Sequence, residues 1–410
     1  MRSVPCASTK ITPKNRPSHN ALALIAAALC IGGAGPAGAQ QAQKEELRQI
    51  ILPAGGMAAT PASSVTIYGL LDTSVAYASA PGGRIWKLDS GHMNGSRLGF
   101  RGSEDLGGGL RANFLLEAGI NSDTGTSGQN QGAGAKFFGR GSIVGLSGSF
   151  GEIRLGRTVV SIASEAQAVG DAFGLGGAGN LQGIQPATGR VNNTIWYQSP
   201  SFNGFLTKLS YSPGEHSSQP PDSSKAGNQI AVSGFYAAND LSGAVAYTTL
   251  RSPVDLSTLR WFNSSLAYNF GSFKLFGSFA TFKNPGAATT PAVHAGLDNN
   301  VQLAGFPLVG YYAGQDDRSV SLGVAVPFGV STILAQAIRV DDRGPLNRDA
   351  TQFGIAYLYA LSKRTSLYVD YGKVKNSNGA AYAVTGATSQ AGLSNNGNSD
   401  VFHMGVRHAF

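Results

Sequence analysis

From about residue 64 onward, the chain alternates between oily and small or polar positions. Phe262, Ser264, Leu266, Tyr268 and Phe270 fall on one side of an extended backbone, and Asn263, Ser265, Ala267 and Asn269 on the other. Val320, Leu322, Val324, Val326 and Phe328 oppose Ser319, Ser321, Gly323 and Ala325 in the same way. A period of two marks a strand with one apolar face. Sixteen such segments are predicted, near 64–78, 95–104, 109–121, 136–148, 151–159, 190–199, 203–213, 228–238, 241–250, 260–270, 272–283, 315–327, 329–340, 348–361, 364–376 and 398–410. Tight links such as Gly107-Gly108-Gly109, Asn239-Asp240 and Phe328-Gly329 alternate with long ones at 79–94, 122–135, 160–189, 214–227, 284–314 and 377–397. Seven turns and eight loops between sixteen strands predict an all-β, antiparallel, up-and-down sheet.

Composition turns the sheet into a barrel. The chain is 42% apolar and only 13% charged, with 56 glycines, yet beyond residue 39 no run of 18 apolar residues occurs. A spanning helix needs about 20 such residues, so helical spanning is excluded. A transmembrane β-barrel reconciles low charge with low local hydrophobicity, because lipid-facing and lumen-facing residues alternate along each strand. Short periplasmic turns, long extracellular loops and closure without an edge in hydrocarbon follow. The last strand runs in alternation to Phe410, which is expected to pair with a neighbour and meet an apolar surrounding rather than to fray. Aromatic residues at strand ends, among them Tyr68, Tyr77, Trp196, Tyr211, Trp261, Tyr268 and Tyr368, are candidates for interfacial girdles.

The first 63 residues read differently. Arg2, Lys10, Lys14 and Arg16 precede an apolar stretch from Ala21 to Ile31 and the small-x-small triplet Ala37-Gly38-Ala39, so 1–39 is predicted to be a signal peptide. Residues 40–63 form an N-terminal extension, disordered or carrying a short helix over Gln41–Ile50, and the barrel occupies 64–410. Both cysteines, Cys6 and Cys30, fall in the predicted leader, leaving neither a disulfide framework nor a thiol nucleophile beyond it. Removing the four leader cations lowers the formal charge from +8 to +4, a mild bias unlike that of a nucleic-acid binder.

Size bears on function. Eight strands enclose a lumen filled by side chains, whereas sixteen leave an aqueous channel. The 160–189 connection, long, glycine-rich and bearing Glu165 and Asp171, is the candidate to narrow it. Catalytic signals are poor: Gly174-Leu175-Gly176-Gly177-Ala178-Gly179 meets a dinucleotide-binding pattern formally but lies in a long connection with no amphipathic helix after it. His92, His216, His294, His403 and His408 lack close metal-ligand spacing and read as loop or strand-end residues. No enzyme activity, cofactor or metal is expected.

Ser63–Asp72, Ser96-Arg97-Leu98-Gly99-Phe100-Arg101-Gly102-Ser103-Glu104-Asp105-Leu106-Gly107, Phe138-Gly139-Arg140, Val144–Gly151, Leu155-Gly156-Arg157 and the final Gly405–Phe410 together resemble the general trimeric porins of Gram-negative outer membranes, especially the betaproteobacterial branch. The resemblance covers roughly 63–410 and implies a homotrimer of sixteen-stranded barrels, each with loop 3 folded inward so that acidic groups face arginines on the wall. By motif position Arg97 and Arg140, with Arg190 as a third and Arg101 on the face of Arg97, supply the basic side of the constriction; Glu165 and Asp171 supply the acidic side. An even step groups Arg140 with Ser142 and Val144, and Asp72 shares the Leu70 and Ser74 face of the first strand as a further pore-lining group. The resemblance also makes Phe410 an assembly signal for the barrel-assembly machinery, and implies outer-membrane lipids and lipopolysaccharide as surroundings and small hydrophilic solutes as cargo. Passive diffusion with modest anion preference is the expectation; the alternative is a barrel working through its external loops as adhesin, receptor or enzyme.

Overall fold

The computed structural model describes residues 63–128, 136–185, 187–214, 225–252, 255–286, 301–304 (backbone only), 312–384 and 397–410. The segments expected as signal peptide, 1–39, and as N-terminal extension, 40–63, fall outside the described residues except for Ser63, as do His216 and His294. Among the described residues there are nineteen strands: β1 (Ser64–Ala80), β2 (Gly83–Ser90), β3 (Arg97–Gly107), β4 (Leu110–Gly119), β5 (Gly141–Gly148), β6 (Gly151–Arg157), β7 (Ala187–Val191), β8 (Thr194–Gln198), β9 (Phe205–Ser212), β10 (Gln229–Ala238), β11 (Leu241–Arg251), β12 (Thr258–Asn269), β13 (Lys274–Asn284), β14 (Val301–Ala304), β15 (Gln315–Phe328), β16 (Ser331–Asp342), β17 (Ala350–Ala360), β18 (Thr365–Asn376) and β19 (Ser399–Ala409). All but β7 and β14, which pair with each other, belong to one sheet of 17 strands.

That sheet is a closed barrel. Neighbours pair antiparallel throughout, and β19 returns to β1 in a register running from Leu70 opposite Ala409 to Ser79 opposite Asp400. The upper part of β1 pairs β2 and the lower part pairs β3, so β2 and β3 are one barrel strand interrupted at 91–96, and sixteen staves result. Phe410 completes the seam: its N–H donates to the Gly69 carbonyl at 3.0 Å and its carbonyl accepts from the Gly69 N–H at 3.0 Å. A Cβ on Gly69 would stand 2.2 Å from the Phe410 ring, so the glycine is what lets the terminal aromatic lie flat across the seam.

The wall is apolar outside and polar inside. Leu322, Val320, Leu266, Val245 and Ile230 are exposed on the outer face, while Ser319, Gln336, Gln352, Asn263 and Ser265 are buried on the inner one. Aromatics gather at the short-turn end, where Tyr268 packs edge-on against Phe270, Phe270 stacks on Phe273, and Phe205 meets Tyr236. Tyr68, Trp196, Trp261 and Tyr368 depart from the girdle expectation: they point inward, where Tyr68 and Tyr368 donate to Glu117 and Asp72. The segment expected as a loop at 79–94 is instead the tip and second strand of a hairpin, with Tyr77 against Trp86.

Candidate functional site

The connection between β6 and β8, here called L3, enters the lumen and lies on the inner wall. It begins with a helix, α1 (Ile162–Val169), not anticipated in so glycine-rich a segment; Ser161 caps it by accepting from the Ser164 N–H. Beyond α1 the chain is pinned by wall glutamines. Gln336 on β16 donates to Asp171 Oδ1 at 3.0 Å and accepts from the Ala172 N–H at 2.8 Å. Gln352 on β17 donates to the carbonyls of Ala178 and Asn180. Glycines on β17 and β18 permit the approach: a Cβ on Gly354 would lie 2.2 Å from Gly179 Cα, and one on Gly372 would lie 2.5 Å from the Ala178 carbonyl oxygen.

On the inner side of the barrel a basic cluster is assembled from separate elements, one of them the last part of L3 itself. Arg97 on β3 and Arg140, one residue before β5, converge on Glu117 of β4: Arg140 Nε stands 2.7 Å from Glu117 Oε1 and Arg97 Nε 3.8 Å from Oε2. Tyr68 donates to the same carboxylate at 2.8 Å. Gly95 supplies a flat floor, accepting from Arg97 Nη1 at 3.1 Å and leaving room for Arg140 Nη1, which a Cβ there would meet at 2.5 Å. Arg190 on β7 and Arg157 at the end of β6 join the group; burial first, then Arg140 and Arg157, lower the Arg190 guanidinium below its ordinary value. Arg101 lies lower on β3, its guanidinium carbon 5.3 Å from the centre of the Tyr68 ring.

The placement of Arg140 has a cause other than the one the even step suggests. Ser142 and Val144 belong to the outer face, where Val144 is 58% exposed. Arg140 turns inward because it precedes the strand, where its N–H donates to the Glu117 carbonyl.

The acidic side differs from the expectation. Glu165 on α1 is paired with Lys208 of β9, whose ammonium also lies over Trp196 and Phe235. Asp171 does not face the gap: it is buried inside L3, accepting from the N–H groups of Phe173, Leu175 and Leu181 as well as from Gln336. Burial raises its carboxyl from an ordinary 3.8 to about 6 against the pull of those donors. Asp72 is on the inner wall but covered, its oxygens taking the Tyr368 hydroxyl at 2.6 Å and the Asn94 N–H at 2.7 Å. Nothing at sequence level marked Glu117 or Lys208, because each is one polar residue on an inner face and its partners come from other strands.

The histidines also depart from their reading. His408 is exposed near Thr365, but His92 and His403 are stacked face to face with centroids 3.4 Å apart, beside Asp370 and Asp89. The glycines of 174–179 serve close packing of L3 on this wall, where the Gly177 N–H donates to the His92 carbonyl at 2.8 Å.

Comparison with known proteins agrees with this architecture. Residues 21–379 match the family described as Gram-negative porin. The chain is 31% identical over 382 residues to outer membrane porin protein 32 of Delftia acidovorans, covering 90% of this chain and all of that protein. Among solved structures it superposes on an anion-selective porin from Comamonas acidovorans with a TM-score of 0.67 at 30% identity, over 85% of this chain and 100% of the other. OmpT of Vibrio cholerae in its trimer form shares the fold, with a TM-score of 0.59 at 15% identity over the same shares. The chain belongs to the family of Gram-negative porins, closed barrels of the bacterial outer membrane.

Proposed function

We propose that the chain is a general diffusion channel for small hydrophilic solutes and ions, with a modest preference for anions. One observation carries the preference: Arg97 and Arg140 converge on one wall carboxylate, Glu117, with Arg190 and Arg157 close enough to act on one another, while Glu165 and Asp171 of L3 are engaged by Lys208 and by backbone N–H groups. Guanidinium groups keep their charge at any relevant pH. Low-dielectric walls focus their field on a passing solute, and clustered charge of one sign is a recognised selectivity device. The solved relative described as anion-selective supports the same sign.

In this reading the barrel is a conduit and carries out no covalent chemistry. The exposed apolar wall seats it among outer-membrane lipids and lipopolysaccharide, three copies associate as in the trimer form of the Vibrio protein, and Phe410 at the seam is the element read by the barrel-assembly machinery. Purified protein in a planar bilayer under a KCl gradient tests the proposal. Stepwise conductance with an anion-side reversal potential is expected, moving toward zero in Arg97→Gln with Arg140→Gln. Silent insertion, or a cation-side potential in the wild type, overturns it.

A further inference from the structure

Outside the constriction, the inner wall holds a second cluster, built where β2, β18, β19 and the 91–96 turn meet L3. Asp370 of β18 clasps two imidazoles at once: its Oδ2 lies 2.6 Å from His92 Nε2 and its Oδ1 3.3 Å from His403 Nδ1. The His92 contact is a hydrogen bond, whereas His403 Nδ1 and Asp370 Oδ1 lie at ion-pair distance without one; the remaining ring nitrogens are His92 Nδ1 and His403 Nε2. The first is buried with no hydrogen-bond partner among the described residues, and the second lies 3.3 Å from Asp89 Oδ2. Donor atoms of Asp89, His92 and His403 all fall within 4.8 Å of one another.

We propose that His92, His403 and Asp89 form a binding site for a divalent transition-metal ion of the zinc class, with Asp370 as the carboxylate that orients the His92 imidazole. Two nitrogens and one carboxylate oxygen are a donor set suited to such an ion, and a further position remains for water. Metal-binding histidines commonly donate their other ring N–H to a carboxylate, which fixes the tautomer and aims the free lone pair. Asp370 stands in that relation to His92, and its other oxygen lies at ion-pair distance from His403. The rings are stacked, with centroids 3.4 Å apart and planes at 14°. A metal–nitrogen bond lies in the plane of its ring, so binding must rotate the rings out of this stack before both lone pairs reach one ion. Asp370 also accepts the Ala178 N–H at 2.8 Å, so the site is tied directly to the tip of L3.

The test measures zinc itself, independently of conductance. Detergent-solubilised full-length protein, stripped with chelator, is titrated with ZnCl2 by calorimetry, and retained metal is counted by elemental analysis after desalting. A single Zn2+ per chain is expected. Affinity should fall by at least tenfold in Asp89→Asn, which leaves both L3 contacts in place, and in His403→Gln. Asp370→Asn should weaken it by about 10- to 100-fold. Substitution with Co2+ should give the visible absorption of a four-coordinate site in the wild type and lose it in His403→Gln. The proposal fails if wild-type protein retains no zinc. It also fails if Asp89→Asn and His403→Gln, with β-sheet circular dichroism and heat resistance intact, bind zinc as the wild type does.

Discussion

At the scale of single residues, the basic cluster proposed as the constriction turns on the one carboxylate on which Arg97 and Arg140 converge. Glu117 is 6% exposed in its side chain and receives Arg140, Arg97 and Tyr68. Its charge offsets part of the repulsion among the guanidinium groups and part of the field they present to the lumen. Replacing it by glutamine keeps the shape and removes the charge. Glu117→Gln is therefore expected to move the reversal potential in a KCl gradient further to the anion side and to lower the temperature at which the barrel unfolds in detergent; an unchanged potential would mean that Glu117 does not act on passing ions. Arg97 and Arg140 were legible because they sit in glycine-rich motifs of recognisable spacing. Glu117 was not, since one acid in Leu115-Leu116-Glu117-Ala118 looks like any inward polar residue until β3 and the turn before β5 bring their cations to it. Asp171 was misread for the converse reason: an acid in a lumen loop looks free until the loop's own N–H groups are seen to fold around it.

At the scale of elements, L3 owes its position to backbone approach and amide pairs rather than to charge. Gly354 faces Gly179 so closely that any side chain must push the tip of L3 off β17. Gly354→Val is expected to lower single-channel conductance and raise open-channel noise. Gly243→Ala, on the outer wall where the nearest atom stands 3.6 Å from the new Cβ, should leave both unchanged. Asp171 adds a dependence on pH whose sign follows from its raised value of about 6. A released, solvated loop would give up that proton near its ordinary value of about 4. Between those values the packed loop binds more protons than the released one, so its advantage is full at acid pH and declines as pH rises through about 6. Open-channel noise from L3 should therefore rise between about pH 4 and about pH 7 in the wild type and stay level in Asp171→Asn; noise that rises on acidification would contradict the assignment. The inward course of L3 was legible only as length and composition. α1 escaped notice because its alanines and its Ser161 cap are embedded among glycines that suggest only turns.

At the scale of the whole molecule, the alternation that was plainest in sequence is the one that lipid enforces. A strand in the wall cannot hide an error by moving, because one residue of slip exchanges its entire apolar set for its polar one. The strands β12 and β15 were legible for that reason: each meets lipid on one side and water or L3 on the other. Where both sides of a segment meet something other than lipid, the signal fades. The β1–β2 hairpin was taken for a loop at its Pro81-Gly82-Gly83 turn, and β7 with β14 lies outside the wall altogether. Neighbouring positions in β15 give the sharpest test of inside and outside. Leu322 is 66% exposed at mid-strand on the outer face, and Ser321 beside it points inward to share a hydrogen bond with Ser278. A charge at the bilayer midplane on a lipid-facing barrel position costs about 2–4 kcal/mol, whereas the same charge in the lumen is solvated. Leu322→Arg is thus expected to lower unfolding stability in lipid vesicles by that amount while leaving conductance near the wild-type value. Ser321→Arg should keep the stability within about 1 kcal/mol and shift selectivity toward anions instead. Equal losses of stability at the two positions, measured by urea unfolding in the same vesicles, would mean that the face of β15 taken as the outside of the barrel does not meet lipid.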